Sequence, residues 1–352
     1  MVKKSALISF ICLLICILNS CVSNMRQDVG TSSLYADYFD IIELETSKAV
    51  VVISPYDLSR DTLLIKEPLD NIICMSSSQV AGMAEIGVDS VITAVSGLRY
   101  ITNADLRERQ VADIGYEAAL DYEKILSLRP DLLLTYTVSG AEPAYISRLR
   151  SLGVPVLVLH DHLENHPLAR AEYIRLYGAL TGHEGRADSL FATICERYDS
   201  LAVSNDFGKD RKKVLMNVPY GDAWYIPGGD SYMAKLVKDA GGQVIGSEPG
   251  TASRVIRMEE AYSLSQEADI WLNPGPCRTR DELVSYHHAF RHFGPIVKGL
   301  PIYNNTLRMT PDGGNDFWES GSVRPDLVLE DLVAVFAQSV ESSSLKYHFE
   351  VK

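Results

Sequence analysis

The run Asp121-Tyr122-Glu123-Lys124-Ile125-Leu126-Ser127-Leu128-Arg129-Pro130-Asp131-Leu132-Leu133-Leu134 decides the fold. Residues 121–128 read as a helix. Arg129 stands before a proline, whose ring pushes the preceding residue out of helical geometry, so the helix stops there. Asp131–Thr135 follows as an apolar run with no polar alternation, the pattern of a short strand covered on both faces. Helix, sharp stop and buried strand together make half of a parallel α/β unit.

The same unit repeats outward in both directions. Upstream, Ile72–Met75 reads as a strand, Gln79–Ile86 as a helix closed by Gly87, and Ser90–Val95 as a strand. Downstream, Glu142–Leu152 is a helix ended by Gly153, and Pro155–Leu159 is a strand. Nearer the N-terminus, Val50–Ile53 and Thr62–Ile65 flank Ser54-Pro55-Tyr56-Asp57 as a strand pair. From Leu168 to Ser204 strand signals almost vanish, with a break at Thr181-Gly182. Within Glu184–Val203 the apolar residues Ala187, Leu190, Phe191, Ile194, Tyr198 and Leu201 keep a helical spacing, and such a helix spans roughly 30 Å. The alternation then restarts. Val214–Val218, Trp224–Ile226, Asp269–Leu272 and Pro301–Tyr303 read as strands; Ser231–Ala240, Met258–Gln266, Thr279–Phe293 and Pro325–Val340 read as helical.

The predicted fold class is α/β: two Rossmann-like lobes with parallel sheets, joined by one long bridging helix, with a ligand cleft between the lobes. The expected division is a signal peptide at 1–20, a tether and strand pair at 21–69, an N-terminal lobe at 70–167, a helical bridge at 168–205 and a C-terminal lobe at 206–352. Ligands of open α/β sheets sit outside the carboxyl ends of the strands.

Composition narrows the function. The chain has 352 residues, 46% of them apolar, with 46 acidic against 33 basic side chains and a net charge of −13. With no basic surplus to displace counterions, nucleic acid is not an expected partner. Lys3 and Lys4 precede the apolar stretch Ala6–Leu18, a secretory signal too short to span a bilayer. Leu18-Asn19-Ser20-Cys21 looks like a bacterial lipoprotein box, so Cys21 is expected to carry lipid and tether the protein in the cell envelope, facing the periplasm. Beyond the signal stand Cys21, Cys74, Cys195 and Cys277, too few and too scattered for a disulfide scaffold.

The predicted strand ends gather aromatic rings and arginines. The candidate ligand contacts are Arg99, Tyr100, Tyr136, His160, Trp224, Tyr225, Arg278, Arg308 and Trp318. Rings to stack and guanidinium groups to pair with oxyanions suit a large ligand with flat surfaces and some negative charge. The phosphate-binding, dinucleotide, zinc-protease and nucleophile-elbow signatures do not occur. His160, His162 and His166 cluster after one strand, and His288 and His292 stand four apart; either group has the ligand type for a metal, but no third ligand accompanies His288 and His292, and the His160/His162 group stands at the cleft end of a strand, placed for contact with ligand. A zinc or manganese receptor and an exported hydrolase on the same fold remain alternative readings.

Three stretches carry a resemblance: the opening run with its Glu-Lys-Ile-Leu and Pro-Asp-Leu, Ile72–Gly87 with Asp113-Ile114-Gly115-Tyr116, and Pro227-Gly228-Gly229-Asp230-Ser231-Tyr232. The chain resembles, over about residues 70–340, the substrate-binding lipoproteins of ABC importers for iron chelates and vitamin B12. Pro311-Asp312-Gly313-Gly314-Asn315-Asp316-Phe317-Trp318-Glu319 and Arg324-Pro325-Asp326 resemble a subgroup from Bacteroides-like bacteria. The resemblance implies a monomer without enzymatic chemistry or cofactor that hands an iron chelate, haem or corrinoid to an ABC permease and its ATPase. It also implies acidic docking residues on the lobes, for which Glu85 and Asp230 are the nearest matches.

Overall fold

The computed structural model describes residues 33–116, 119–202, 211–338 and 344–352. Cys21 and the signal sequence lie outside the described residues, as do Val203 and Val340 at the ends of two expected helices.

Hydrophobic alternation makes the first sheet. β1 (Phe39–Glu43), β2 (Lys48–Ile53) and β3 (Arg60–Ile65) form an antiparallel meander. The expected pair is β2 and β3; β1 adds a third strand. The chain entering β1 is held by two carboxylates. Glu172 accepts the backbone N–H groups of Leu34, Tyr35 and Ala36, and Glu164 accepts those of Asp37 and Tyr38. Burial of Glu164 pushes its carboxyl up to about 7.

The N-terminal lobe follows the predicted alternation. β4 (Ile72–Cys74), β5 (Ile92–Val95), β6 (Ala112–Asp113), β7 (Leu132–Tyr136) and β8 (Val156–Leu159) lie in the order β6-β5-β4-β7-β8, all parallel. Its helices are α1 (Ser77–Glu85), α2 (Ala104–Glu108), α3 (Tyr122–Leu128) and α4 (Ala144–Ser151). Ser76 and Gln79 close a capping box on α1, and Asp121 caps α3. Arg129 ends α3 in the left-handed region, so the helix stops before Pro130.

The helical bridge divides at the expected break, and its second part is the expected long helix. α5 (Pro167–Thr181) turns at Gly182-His183 into α6 (Glu184–Leu201), and the two pack side by side. α5 is buried along most of its length, against α1 and the meander. α6 is the long connector; Tyr198 donates to Asp239 and Arg197 pairs with Asp326, both in the C-terminal lobe.

In that lobe β9 (Lys212–Met216), β11 (Gly242–Val244), β13 (Ile270–Leu272), β14 (Ile302–Asn304) and β15 (Phe349–Glu350) take the order β11-β9-β13-β14-β15, with β15 alone antiparallel. β10 (Trp224–Ile226) is not in this sheet; it forms a separate antiparallel ribbon with β12 (Arg254–Ile256). The helices are α7 (Tyr232–Asp239), α8 (Met258–Ser265), α9 (Arg280–Tyr286), α10 (Gly294–Val297), α11 (Ser320–Val323) and α12 (Pro325–Ala337). The expected helix over 279–293 is α9 followed by a tight turn at His288–His292. Cys74, Cys195 and Cys277 are free thiols.

Candidate ligand-binding cleft

On the N-terminal side one carboxylate organises the wall. Asp113, at the end of β6, accepts the N–H groups of Gly97 (3.0 Å), Leu98 (2.9 Å) and Gly115 (2.9 Å). Gly97 takes φ 71°, and a Cβ there would overlap the Tyr116 hydroxyl. This turn brings Arg99, Tyr100 and Tyr116 together. The Arg99 guanidinium lies 4.7 Å above the Tyr100 ring, and the Tyr100 and Tyr116 rings are 6.0 Å apart. All three side chains are exposed. Cationic, flat and ready to stack, they form the chemistry expected for an anionic ring-bearing ligand.

The ends of β7 and β8 carry the second group. Tyr136 meets His162 edge-on at 5.6 Å, and His160 has Tyr56 (6.2 Å) and Tyr38 (6.4 Å) edge-on to its ring. His160 is buried; that burial, with His162 beside it, pushes its imidazole down to about 4. Burial lowers His162 as well. Both rings are therefore neutral near pH 7. Among the described residues, His160 Nδ1 has no hydrogen-bond partner. A hollow of about 510 Å³ opens beside them, lined by Tyr56, Asp57, Arg60, Thr137, Arg150 and His160. Among the described residues no group of three or more His, Cys, Asp or Glu stands together as a metal site.

On the C-terminal side the structure corrects one expected contact. Trp224 is fully buried, stacked on Trp271 and Phe293, and its Nε1 donates to the Met216 carbonyl. It is a core residue, because alternation along β10 turns Trp224 and Ile226 inward and Tyr225 outward. Exposed Tyr225 keeps its place on the surface, joined by Tyr220 and by Tyr286, whose hydroxyl donates to the Pro219 carbonyl. Asn217 and Asn273, just past the ends of β9 and β13, both take left-handed backbone.

The remaining expected residues are dispersed. Arg278 is exposed and lies 5.2 Å from the Phe349 ring. Arg308 pairs with Asp316 at 2.5 Å and covers the Tyr347 ring. Trp318 is half-exposed, edge-on to Phe317 at 4.7 Å. Asp230 is exposed and accepts the Gly250 N–H, a position open to a partner. Glu85 is not a free tip: it pairs with Arg324 at 3.0 Å and lines a second hollow of about 440 Å³ with Thr102, Arg107, Arg308, Asp316 and Glu319. Sequence reasoning left out Asp113, Tyr56, Tyr116, Tyr220 and Tyr286 as site residues. For Asp113 and Tyr116 the signal was present, since an acid two residues before Gly115 and three before Tyr116 marks a carboxylate-held turn.

Two α/β lobes, one long connecting helix and decorated strand ends match a known family model, described as periplasmic binding protein, over residues 72–293. This chain belongs to the periplasmic binding protein family. An uncharacterized ABC transporter substrate-binding lipoprotein of Bacillus subtilis is 23% identical over 228 residues, covering 64% of this chain and 68% of that protein. Among solved structures, a periplasmic haem-binding protein from Pseudomonas aeruginosa matches with a TM-score of 0.60 at 17% identity, covering 81% of this chain and 98% of that one. The periplasmic vitamin B12-binding protein of Vibrio cholerae matches with a TM-score of 0.53 at 14% identity, covering 78% and 99%. At these identities the two structures establish the shared fold.

Proposed function

We propose that the chain is a lipid-anchored, monomeric receptor that captures an iron chelate, haem or corrinoid in the cleft and delivers it to an ABC permease with its ATPase. The observation that carries this reading is the Arg99–Tyr100–Tyr116 group at the end of β5, exposed and pre-set by Asp113. Arg99 pairs with an oxyanion or carboxylate of the ligand while the two phenol rings stack on it. Tyr136, Tyr225 and Trp318 add aromatic surface, and the neutral imidazole of His160 borders the adjoining hollow. Cys21 supplies the lipid, and Asp230 remains as the acidic docking residue.

Titration of the protein with haemin, a ferric hydroxamate and cyanocobalamin tests the reading. One class binds with a dissociation constant at or below the micromolar range, without turnover. Arg99→Ala and Tyr100→Ala each weaken that binding about tenfold, equal to about 1.4 kcal/mol. Equal affinity of the wild type and both variants would remove the Arg99–Tyr100 wall from the site.

A further inference from the structure

The segment from Thr310 to Arg324 belongs to the C-terminal lobe by sequence, yet its side chains reach the N-terminal lobe. Glu319 accepts the backbone N–H groups of Thr102 (2.7 Å) and Asn103 (2.8 Å), one on each carboxylate oxygen. Asp316 accepts from the Thr102 hydroxyl at 2.9 Å, and the Thr310 hydroxyl donates to the Arg99 carbonyl at 3.2 Å. Arg324 pairs with Glu85 on α1. Gly314 lies so close to the Tyr100 carbonyl that a Cβ would collide with it. Glu319 is 2% exposed, so its two N–H bonds form out of competition with water.

Apart from the Arg324–Glu85 pair, these contacts converge on residues 99–103, the short stretch that contains the Arg99–Tyr100 wall and the three residues after it. We propose that Glu319 and Asp316, with Thr310 and Gly314, form an inter-lobe strap that positions Arg99 and Tyr100 for ligand. Glu319 fixes the two peptide groups just past the wall. The Thr310 hydroxyl holds the Arg99 carbonyl, and Gly314 packs close against the Tyr100 carbonyl. The wall is then set from both lobes: Asp113 holds its start from inside the N-terminal lobe, and the strap holds its end from the other lobe. Loss of the strap lets the 99–103 turn drift and separates the lobes along that edge. The proposal rests, for its effect on ligand, on the binding role of Arg99 and Tyr100 given above.

Hydrogen–deuterium exchange on the full chain in detergent tests the strap without any ligand. In Glu319→Ala the amides of Thr102 and Asn103 lose their acceptor, and exchange in peptides spanning 98–108 rises at least tenfold, while β7 peptides stay as in the wild type. Glu319→Gln, which keeps one acceptor oxygen, gives an intermediate rise. Gly314→Ala reaches the same stretch from the strap's other contact and covers the case in which Glu319→Ala fails to fold. Unchanged exchange over 98–108 in a folded Glu319→Ala or Gly314→Ala protein would overturn the strap. A second arm uses the ligand class that the wild type binds. Glu319→Ala weakens it about tenfold alone and by less than twofold in an Arg99→Ala/Tyr100→Ala background, where no wall side chain remains to be positioned. Full additivity of the two would overturn the positioning role. If the wild type binds none of the three ligands, the binding reading fails, and the exchange arm still decides the strap.

Discussion

At the residue scale, burial separates side chains of the same type. Trp224 and Trp318 are both candidate ligand contacts in the sequence, yet Trp224 is enclosed by Trp271, Phe290 and Phe293 while Trp318 is 46% exposed. Trp224→Ala therefore destabilises by about 3–5 kcal/mol in chemical denaturation, and Trp318→Ala changes stability by less than about 0.5 kcal/mol. The distinction was legible in part: Trp224-Tyr225-Ile226 alternates in and out, and the inward position follows once the segment is read as a ribbon strand. Two buried titratable groups give a pH dependence of opposite sign. Glu319 is raised from 4.5 to about 7, mainly by burial and, to a lesser degree, by nearby Asp316. Its contribution to stability is full below 4.5 and is lost as pH rises through 7. The melting temperature of the wild type accordingly falls relative to that of Glu319→Gln between pH 5 and 8; parallel curves would contradict this. His160 acts in the opposite sense. With its pKa lowered from 6.5 to about 4, it contributes fully above 6.5 and loses that contribution as pH falls through 4. His160→Asn flattens the acid limb of the stability curve.

At the element scale, what local sequence controls was readable and what distant packing controls was not. The helix–Pro–Asp–strand hinge at 121–134 gave α3 and β7 to within a residue, because a proline constraint and an apolar run act locally. β1 escaped notice because Phe39–Glu43 carries only a short apolar core, and its entry is fixed by Glu164 and Glu172 more than 120 positions away. The break at Thr181-Gly182 was visible, but only packing shows that it divides α5, sunk into the N-terminal lobe, from the connector α6. α12 begins on a comparable long-range arrangement. Asp326 in its first turn is fully buried and meets both Arg324 (2.8 Å) and Arg197 of α6 (3.0 Å). Arg324→Ala leaves that carboxylate half-paired and frees Glu85, and the expected loss is about 3 kcal/mol in equilibrium unfolding. A loss below about 0.5 kcal/mol would show that this network does not hold α12 to the connector.

At the scale of the whole molecule, each lobe is built on a five-stranded sheet, parallel except for β15, and the chain belongs to the periplasmic binding protein family. The strand ends were legible from the alternation of strand and helix, because the doubly wound architecture gathers the loops after the strands at one end of each sheet whatever their sequence. Which loop residues reach solvent was not legible: Arg308 is drawn into a pair with Asp316 inside the C-terminal lobe, and Glu85 into one with Arg324 across the lobes. Recognition by stacking and anion pairing is the central claim, and ligand titration by calorimetry tests it most directly. With haemin, a ferric hydroxamate and cyanocobalamin in turn, one class is predicted to bind one-to-one at or below micromolar concentration, with about a tenfold loss in Arg99→Ala. No binding by any of the three, or binding untouched by Arg99→Ala and Tyr100→Ala, would contradict it.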